Sequence, residues 1–571
     1  MKTVAFLSIF LVSFGTHAQQ VRNDVVIAEI MADPAPAVGG LPETEFIELR
    51  NFSLQAVNLN GWKVGKTSGL ASINSNFILQ PDSMVILCST GNVAVLSRFG
   101  PALGVSNFPT LDNDGDLVFL QSRAGKLIHA VEYNKSWYAD AVKAEGGWSL
   151  EMIDPKNACS GHTNWKSSTD PKGGTPGKKN SVDAANPDTE PPRAASAFAT
   201  DSMHINVLFD EPLDSFVAVM PSNYQVDQGI GSPVSATASP PLFNKITLRL
   251  QAPLERNRKY LVTVNKLVDC AGNNITTAHS IAAGLPSLPE NLDVVINEVL
   301  FNPRPGGVDY LEIYNRSNRI VDVETLFLAG RGNNGAINSS KKVSPANRLL
   351  FPQSYLVITE DAELVKKQYL AKDPNVFVQM SSMPALADDK GRIVLLNVTG
   401  KIIDELSYDR KWHFKLVDND EGIALERIDY SKPTQDPANW HSASTSSGYG
   451  TPGYRNSQFR ADMVAQGTIS IYPAVFSPDN DGFDDFVTIN YDFPEPGYVC
   501  NISLYESSGR LIRRLTQNAI CGVKGYFRWD GLDEKNNLPR VGMYVMMAEV
   551  FNLEGKTKKF KQVLTVARKL E

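Results

Sequence analysis

Three pairs of glutamates are the first residues in this sequence that could do chemistry. Glu29 and Glu298 each end a β-branched run, Asp24-Val-Val-Ile-Ala-Glu-Ile30 and Asp293-Val-Val-Ile-Asn-Glu-Val299. Glu48 and Glu312 follow in Glu45-Phe-Ile-Glu-Leu-Arg-Asn51 and Asp309-Tyr-Leu-Glu-Ile-Tyr-Asn315, and Glu151 and Glu426 complete the series. Neighbouring carboxylates can hold different pKa values and divide acid from base. Here, however, the same residue recurs in both copies of a repeat. A shared structural bond explains that better than two active sites. Glu48 and Glu312, set between apolar neighbours, are expected on the polar face of a strand.

Two Asp-rich loops have oxygens enough for a hard cation such as Ca²⁺. Asp112-Asn-Asp-Gly-Asp116 corresponds to Ala387-Asp-Asp-Lys-Gly391. Loss of two acids and gain of Lys390 leave a turn as the shared requirement. In Asp479-Asn-Asp481-Gly482-Phe-Asp484-Asp485 four carboxylates fall within seven residues, and Asp479, Asp481, Asp484 and Asp485 are the expected Ca²⁺ ligands. The competing reading is a solvated Asx-type turn. His129, His162, His204, His279, His413 and His441 are scattered, with no pair at helical ligand spacing and no Gly-x-Ser-x-Gly elbow. No catalytic residue is predicted. Of the five cysteines, Cys500 and Cys521 are the disulfide candidates, with buried free thiols the alternative. The matched Trp137 and Trp412, Trp165 and Trp440 read as core residues ahead of a ligand-stacking surface.

The elements that must position these residues are short strands. A chain of 571 residues exceeds one hydrophobic core. With 41 Gly and 34 Pro it favours turns between strands over long helices. A constant offset of 275 residues carries Pro109 onto Pro384 and runs without a gap to Trp165 and Trp440. Leu120 falls on Leu395, Gly125 on Gly400, Tyr133 on Tyr408 and Asn164 on Asn439. One residue off that register, Gly174-Thr-Pro-Gly177 meets Gly450-Thr-Pro-Gly453 and closes each module. Such a repeat is one module used twice.

This ordered set, from Ile-Asn-Glu-Val through the Gly-Lys hairpin to Asn-Trp and Gly-Thr-Pro-Gly, resembles the lamin-tail domain. The resemblance spans 21–182 and 288–457, and implies immunoglobulin-like β-sandwiches with a binding or structural role. Between the copies, residues 190–285 carry turn-bounded strands such as Ile205-Asn-Val-Leu-Phe209 and Tyr260-Leu-Val-Thr-Val264. They resemble the bacterial Ig-like modules of surface-layer proteins. The last segment, 468–571, resembles the flagellar-hook-cap Ig-like domain and the C-terminal domains exported by the type IX system of Bacteroidota. The resemblance implies export machinery as a partner of this domain. Its basic end is expected as a final amphipathic strand.

At the N-terminus, Met1-Lys2-Thr3 precedes an apolar run from Val4 to Phe14 and a small residue, Ala18. That pattern is a signal peptide at 1–18, cut after Ala18, and no later segment reaches transmembrane length. A net charge of −7 without a basic stripe argues against nucleic acid. The expectation is an exported, all-β, non-enzymatic row of tandem immunoglobulin-like β-sandwiches at the cell surface or in the medium, with a protein or polysaccharide ligand. An exported hydrolase or its accessory module is the alternative, and a polysaccharide-binding protein a third reading.

Overall fold

The computed structural model describes residues 21–568 except 333, 346, 416, 418, 460–466 and 553–556. The expected signal peptide lies outside the described residues. The chain is almost all β and forms two compact units, one of residues up to 253 with 260–282, the other of 254–259 with 283 onward.

The first unit opens with a six-stranded sheet in the spatial order Trp165–Ser167, Leu150–Met152, Val25–Met31, Phe46–Asn51, Met84–Ser89, Ala102–Val105. The last pair is parallel and the others antiparallel. A four-stranded sheet, Leu127–Asn134, Gly115–Gln121, Lys63–Lys66 and Gly69–Ser72, contributes Ile128, Val118 and Val64 to a common core with Ile27, Leu49 and Val85. Both faces of the larger sheet are covered, because Met31, Phe46 and Ile86 pack into a second cluster with Leu41 and Leu96. Continuous burial along Val25–Met31 follows from this. Beyond it, Ala194–Asp201, His204–Phe209, Lys245–Arg249 and Ser235–Ala238 form one sheet, and Tyr224–Val226, Tyr260–Val264 and His279–Ala283 another.

The second unit repeats the first arrangement strand for strand. Its six-stranded sheet runs Trp440–Ser442, Leu425–Arg427, Val294–Leu300, Tyr310–Asn315, Tyr355–Thr359, Phe377–Gln379, again with a parallel last pair. The smaller sheet is Ile402–Asp409, Lys390–Asn397, Leu326–Gly330 and Lys341–Lys342. The hairpin glycines Gly125 and Gly400 adopt φ 79° and 80°, the left-handed conformation that their turn requires. A final pair of sheets of three and five strands follows. The basic end forms the strand Thr557–Val566 against Gly542–Asn552, as its alternation predicts.

Candidate functional site: two strapped glutamate triplets

The strand register sets the glutamates side by side. Glu29 stands opposite Glu48 on one neighbour and Glu151 on the other, and Glu298 stands likewise between Glu312 and Glu426. All six are fully buried, so the polar face expected for Glu48 and Glu312 is a covered one. Like charges directly opposite repel, and burial of a carboxylate without donors costs several kcal/mol. The chain meets both costs with the Gly-Thr-Pro-Gly segment, which lies over the glutamates as a strap.

In the first unit Thr175 donates its N–H to Glu29 Oε1 at 2.8 Å and its hydroxyl to Glu151 at 2.9 Å. Gly177 N–H donates to Glu48, and Ser181 Oγ and Val182 N–H donate to Glu151 at 2.8 and 3.2 Å. In the second unit Thr451 N–H and Oγ1 donate to Glu298, each at 2.9 Å, and the same hydroxyl reaches Glu426 at 2.9 Å. Gly453 N–H donates to Glu312 at 2.5 Å, and Ser457 Oγ and Gln458 N–H donate to Glu426, each at 2.8 Å. Both glycines and the threonine of the motif have a part in this. A Cβ on Gly174 would stand 2.7 Å from Glu29 Oε1, and one on Gly450 would stand 2.6 Å from the Tyr310 hydroxyl. Thr supplies two donors. Gly177 and Gly453 take φ of 74° and 88° to aim their N–H inward.

Burial first, and the Glu151 charge next, push Glu29 up to about 8. Burial and then Glu298 push Glu426 up to about 8. Glu48 and Glu312 are held well above the usual carboxylate range, by burial and then by Glu29 and Glu298 respectively. Each triplet therefore carries fewer than three charges at neutral pH. Raised carboxyls are a hallmark of general acids, but these have no solvent-facing atom through which a substrate could meet them. Their chemistry here is to hold the strap on the sheet.

The structure also gathers a serine, a histidine and an aspartate that the sequence scatters. Ser442 Oγ lies 2.9 Å from His413 Nδ1, and His413 Nε2 lies 3.9 Å from Asp420 Oδ2. Ser442 is fully buried and already accepts the Phe414 N–H at 2.9 Å. Burial pushes His413 down to about 4. The second contact exceeds hydrogen-bonding distance, so the group is a packed polar cluster without the linkage of a triad.

Of the expected Ca²⁺ ligands, Asp479, Asp481 and Asp485 each bring a carboxylate oxygen within 4.8 Å of the others, while Asp484 stands outside that group. Asp484 instead turns with φ 51°, and its carbonyl accepts the Ser477 N–H. Asp485 Oδ1 is buried without a hydrogen-bond partner. In the other Asp-rich loop, Asp112 accepts the Asp114 N–H and Asp116 pairs with Lys66 at 2.6 Å, which makes it a tied turn. A further acidic group, Asp188, Glu211 and Asp269, was not evident in the sequence because its members lie far apart there.

The disulfide expected between Cys500 and Cys521 is not formed: both are buried free thiols, and Cys159 pairs with Cys270 across a Cα separation of 6.1 Å. Cys500 lies opposite Ala519 and Cys521 opposite Tyr498, so the two cysteines are diagonal neighbours. Trp165 and Trp440 are buried, with Trp137 and Trp412 tilted against them at 6.3 and 6.5 Å, as core residues.

Residues 18–135 match the Lamin Tail Domain family model. Residues 186–282 match that of the Bacterial Ig-like domain. No curated protein matches the chain. Among solved structures, the N-terminal part of the bacterial S-layer protein SbsC is 17% identical over 29% of this chain and 40% of that chain, with a TM-score of 0.16. A DUF4876 family protein from Bacteroides thetaiotaomicron is 13% identical over 33% of this chain and 78% of that one, with a TM-score of 0.18. A Ca²⁺-stabilized adhesin of an Antarctic bacterium is 9% identical over 96% of this chain and 100% of that one, with a TM-score of 0.12. The chain spans about half or less of the S-layer chains it matches. TM-scores this low carry no functional conclusion.

Proposed function

We propose that the chain is an exported, non-enzymatic protein of the cell surface or medium, serving adhesion, scaffolding or ligand binding. Its domains on this reading are lamin-tail-like sandwiches at 21–182 and 288–457, an Ig-like domain at 190–285, and a C-terminal Ig-like export or attachment domain at 468–571. The likeness of the last to type IX cargo makes a Bacteroidota surface the proposed setting. One observation carries the reading. The chemistry that the sequence repeats, six glutamates, is spent on holding two sandwiches closed, with every carboxylate buried beneath its own strap. Small sandwiches in series present loops at their ends, which suits surface display.

Fractionating cells that make the full chain or a chain lacking 468–571 tests this. The full chain is expected in the envelope or medium after cleavage behind Ala18, and the shortened one inside the cell. Hydrolase activity of the purified chain on nucleic acid, phosphate ester or glycoside, lost in E48Q or E312Q, would overturn the non-enzymatic reading in favour of an exported hydrolase.

The same reading includes Ca²⁺ at the entry to the last domain. Asp479, Asp481 and Asp485 supply three hard oxygens, and the free Oδ1 of Asp485 fits a cation that takes six to eight oxygen ligands. A melting curve that rises with Ca²⁺ and falls with chelator is expected, and one indifferent to both removes the ion.

A further inference from the structure

The outer side of the second strap is the wall of a cavity of about 780 Å³, a size suited to a small ligand. Thr451, Tyr454 and Arg455 line it from the strap side, Lys372 from a neighbouring loop, and Lys524 and Tyr526 from the Lys524–Trp529 strand. No Asp or Glu lines it, in a chain with 62 acidic residues and a net charge of −7. Lys524 is paired with Asp492 at 2.8 Å. Lys372 and Arg455 have no carboxylate partner among the described residues. Lys372 Nζ lies 4.1 Å from the Tyr454 ring centre and the Arg455 guanidinium 5.2 Å from that of Phe459. Aromatic faces hold cations in place without neutralising them, so two fixed positive charges are left for a ligand.

The other groups decide what kind of anion fits. The Val523 N–H is given to the Ser457 carbonyl, and the Ser457 and Asn456 side chains are spent on Glu426 and Asn297. The Tyr454 and Tyr526 hydroxyls make no hydrogen bond among the described residues. Tyr526 is 48% exposed and Leu370 59%, and both line the cavity, an aromatic and an aliphatic group of the kind on which the C–H face of a sugar ring stacks. We propose that this cavity binds an acidic oligosaccharide, its uronate carboxylates held by Lys372 and Arg455 and a sugar ring resting on Tyr526. The surface reading above supplies only the place where such a glycan is met.

Isothermal titration of the mature full-length chain with tetragalacturonate, with a neutral galactose tetramer and with a tetraglutamate peptide tests the site. Tetragalacturonate is expected to bind at least tenfold tighter than either of the others, and more weakly as salt rises. K372A/R455A is expected to lose at least tenfold and Y526A several-fold. K372Q/R455Q, with an unchanged melting temperature, separates loss of charge from loss of fold. Absence of heat with tetragalacturonate, undiminished binding by both double variants, or equal binding of the peptide would each overturn the proposal. A chain that binds the glycan but stays inside the cell would instead sink the surface reading and leave the site standing.

Discussion

Glu29, Glu48 and Glu151 stand in the same relation to one another as Glu298, Glu312 and Glu426, yet different side chains complete the two sites. The central glutamate receives a hydroxyl in both. In the first unit it comes from Ser149 at 2.6 Å, in the second from Tyr310 at 2.6 Å. Where one sandwich has Ser149 and Phe46, the other has Ala424 and Tyr310, so the donor has moved from the residue before Leu150–Met152 to the strand Tyr310–Asn315 while the bond persists. At the lateral glutamate the copies differ in completeness. Asn297 donates to Glu312 Oε1 at 2.7 Å, whereas its counterpart is Ala28 and Glu48 Oε1 is left buried without a donor.

The bulge beside the central glutamate shows the same freedom at greater cost. The register slips between Ile27 and Glu29, and between Ile296 and Glu298. A bulge leaves a backbone group outside the ladder. His129 Nδ1 accepts the Ile27 N–H at 3.2 Å, and Asp404 accepts the Ile296 N–H at 2.8 Å. Burial pushes His129 down to about 4, so it serves as a neutral acceptor, and the copy that carries it has a buried, apolar Met152. Asp404 introduces a charge, and the residue at the Met152 position is a fully buried Arg427, 3.6 Å away. Burial raises Asp404 and lowers Arg427 despite that pairing. The difference teaches that the fold demands an acceptor at the bulge and a donor at the central glutamate, and leaves their chemistry open.

The strongest way to break this comparison is to transplant one solution into the other site. Arg427→Met should leave Asp404 buried and unpaired at a cost of about 3–5 kcal/mol. Adding Asp404→His should recover most of it, as read from native-state hydrogen exchange at the Thr451 amide. A double variant no better than the single one would show that the surroundings are not interchangeable. Next comes pH, which should move both sites in the same direction. Glu29 and Glu426 bind protons in the folded state that they lose near pH 4.5 when unfolded. Their stabilising contribution is complete below pH 4.5 and is lost as pH rises through about 8, on the order of a few kcal/mol. Exchange at Thr175 and Thr451, corrected for intrinsic rates, should report it, and E29Q should weaken it in the first unit alone, leaving the part that the raised Glu48 carries.

Smaller effects sharpen the comparison. Tyr310→Phe should cost about 1–2 kcal/mol and be rescued by Ala424→Ser, and Ser149→Ala should be rescued by Phe46→Tyr. Failure of both rescues would mean that the donor's strand matters as much as its hydroxyl. The smallest change, Ala28→Asn, should stabilise the first unit by about 1 kcal/mol by giving Glu48 Oε1 a donor. A variant of unchanged melting temperature would show that a shared proton already satisfies that oxygen.

Much of this was legible in the residues. Short apolar runs bounded by Gly and Asp turns, Asp116–Leu120 and Arg392–Leu396, point to the strands Gly115–Gln121 and Lys390–Asn397, and the matched Gly125 and Gly400 place their hairpins. Pairing the glutamates across copies points to a structural bond. The burial of the bond was not legible, because nothing local to Glu48 says that a segment some 130 residues later will cover it. Pairing of Cys159 with Cys270 was hidden for the same reason, by a sequence separation of 111. So were the Asp404–Arg427 pair and the Ser442–His413 contact, whose partners come from different strands and loops.

The sequence by itself determined that this is an all-β chain with one sandwich pattern used twice, because hydrophobic alternation, turn residues and repeat spacing are local properties. Only the tertiary structure decided what the glutamates of Asp24–Asn51 and Asp293–Asn315 are for. A carboxylate's pKa, donors and access to solvent are set by whatever packs over it, and here that is a strap brought back from the far end of each module.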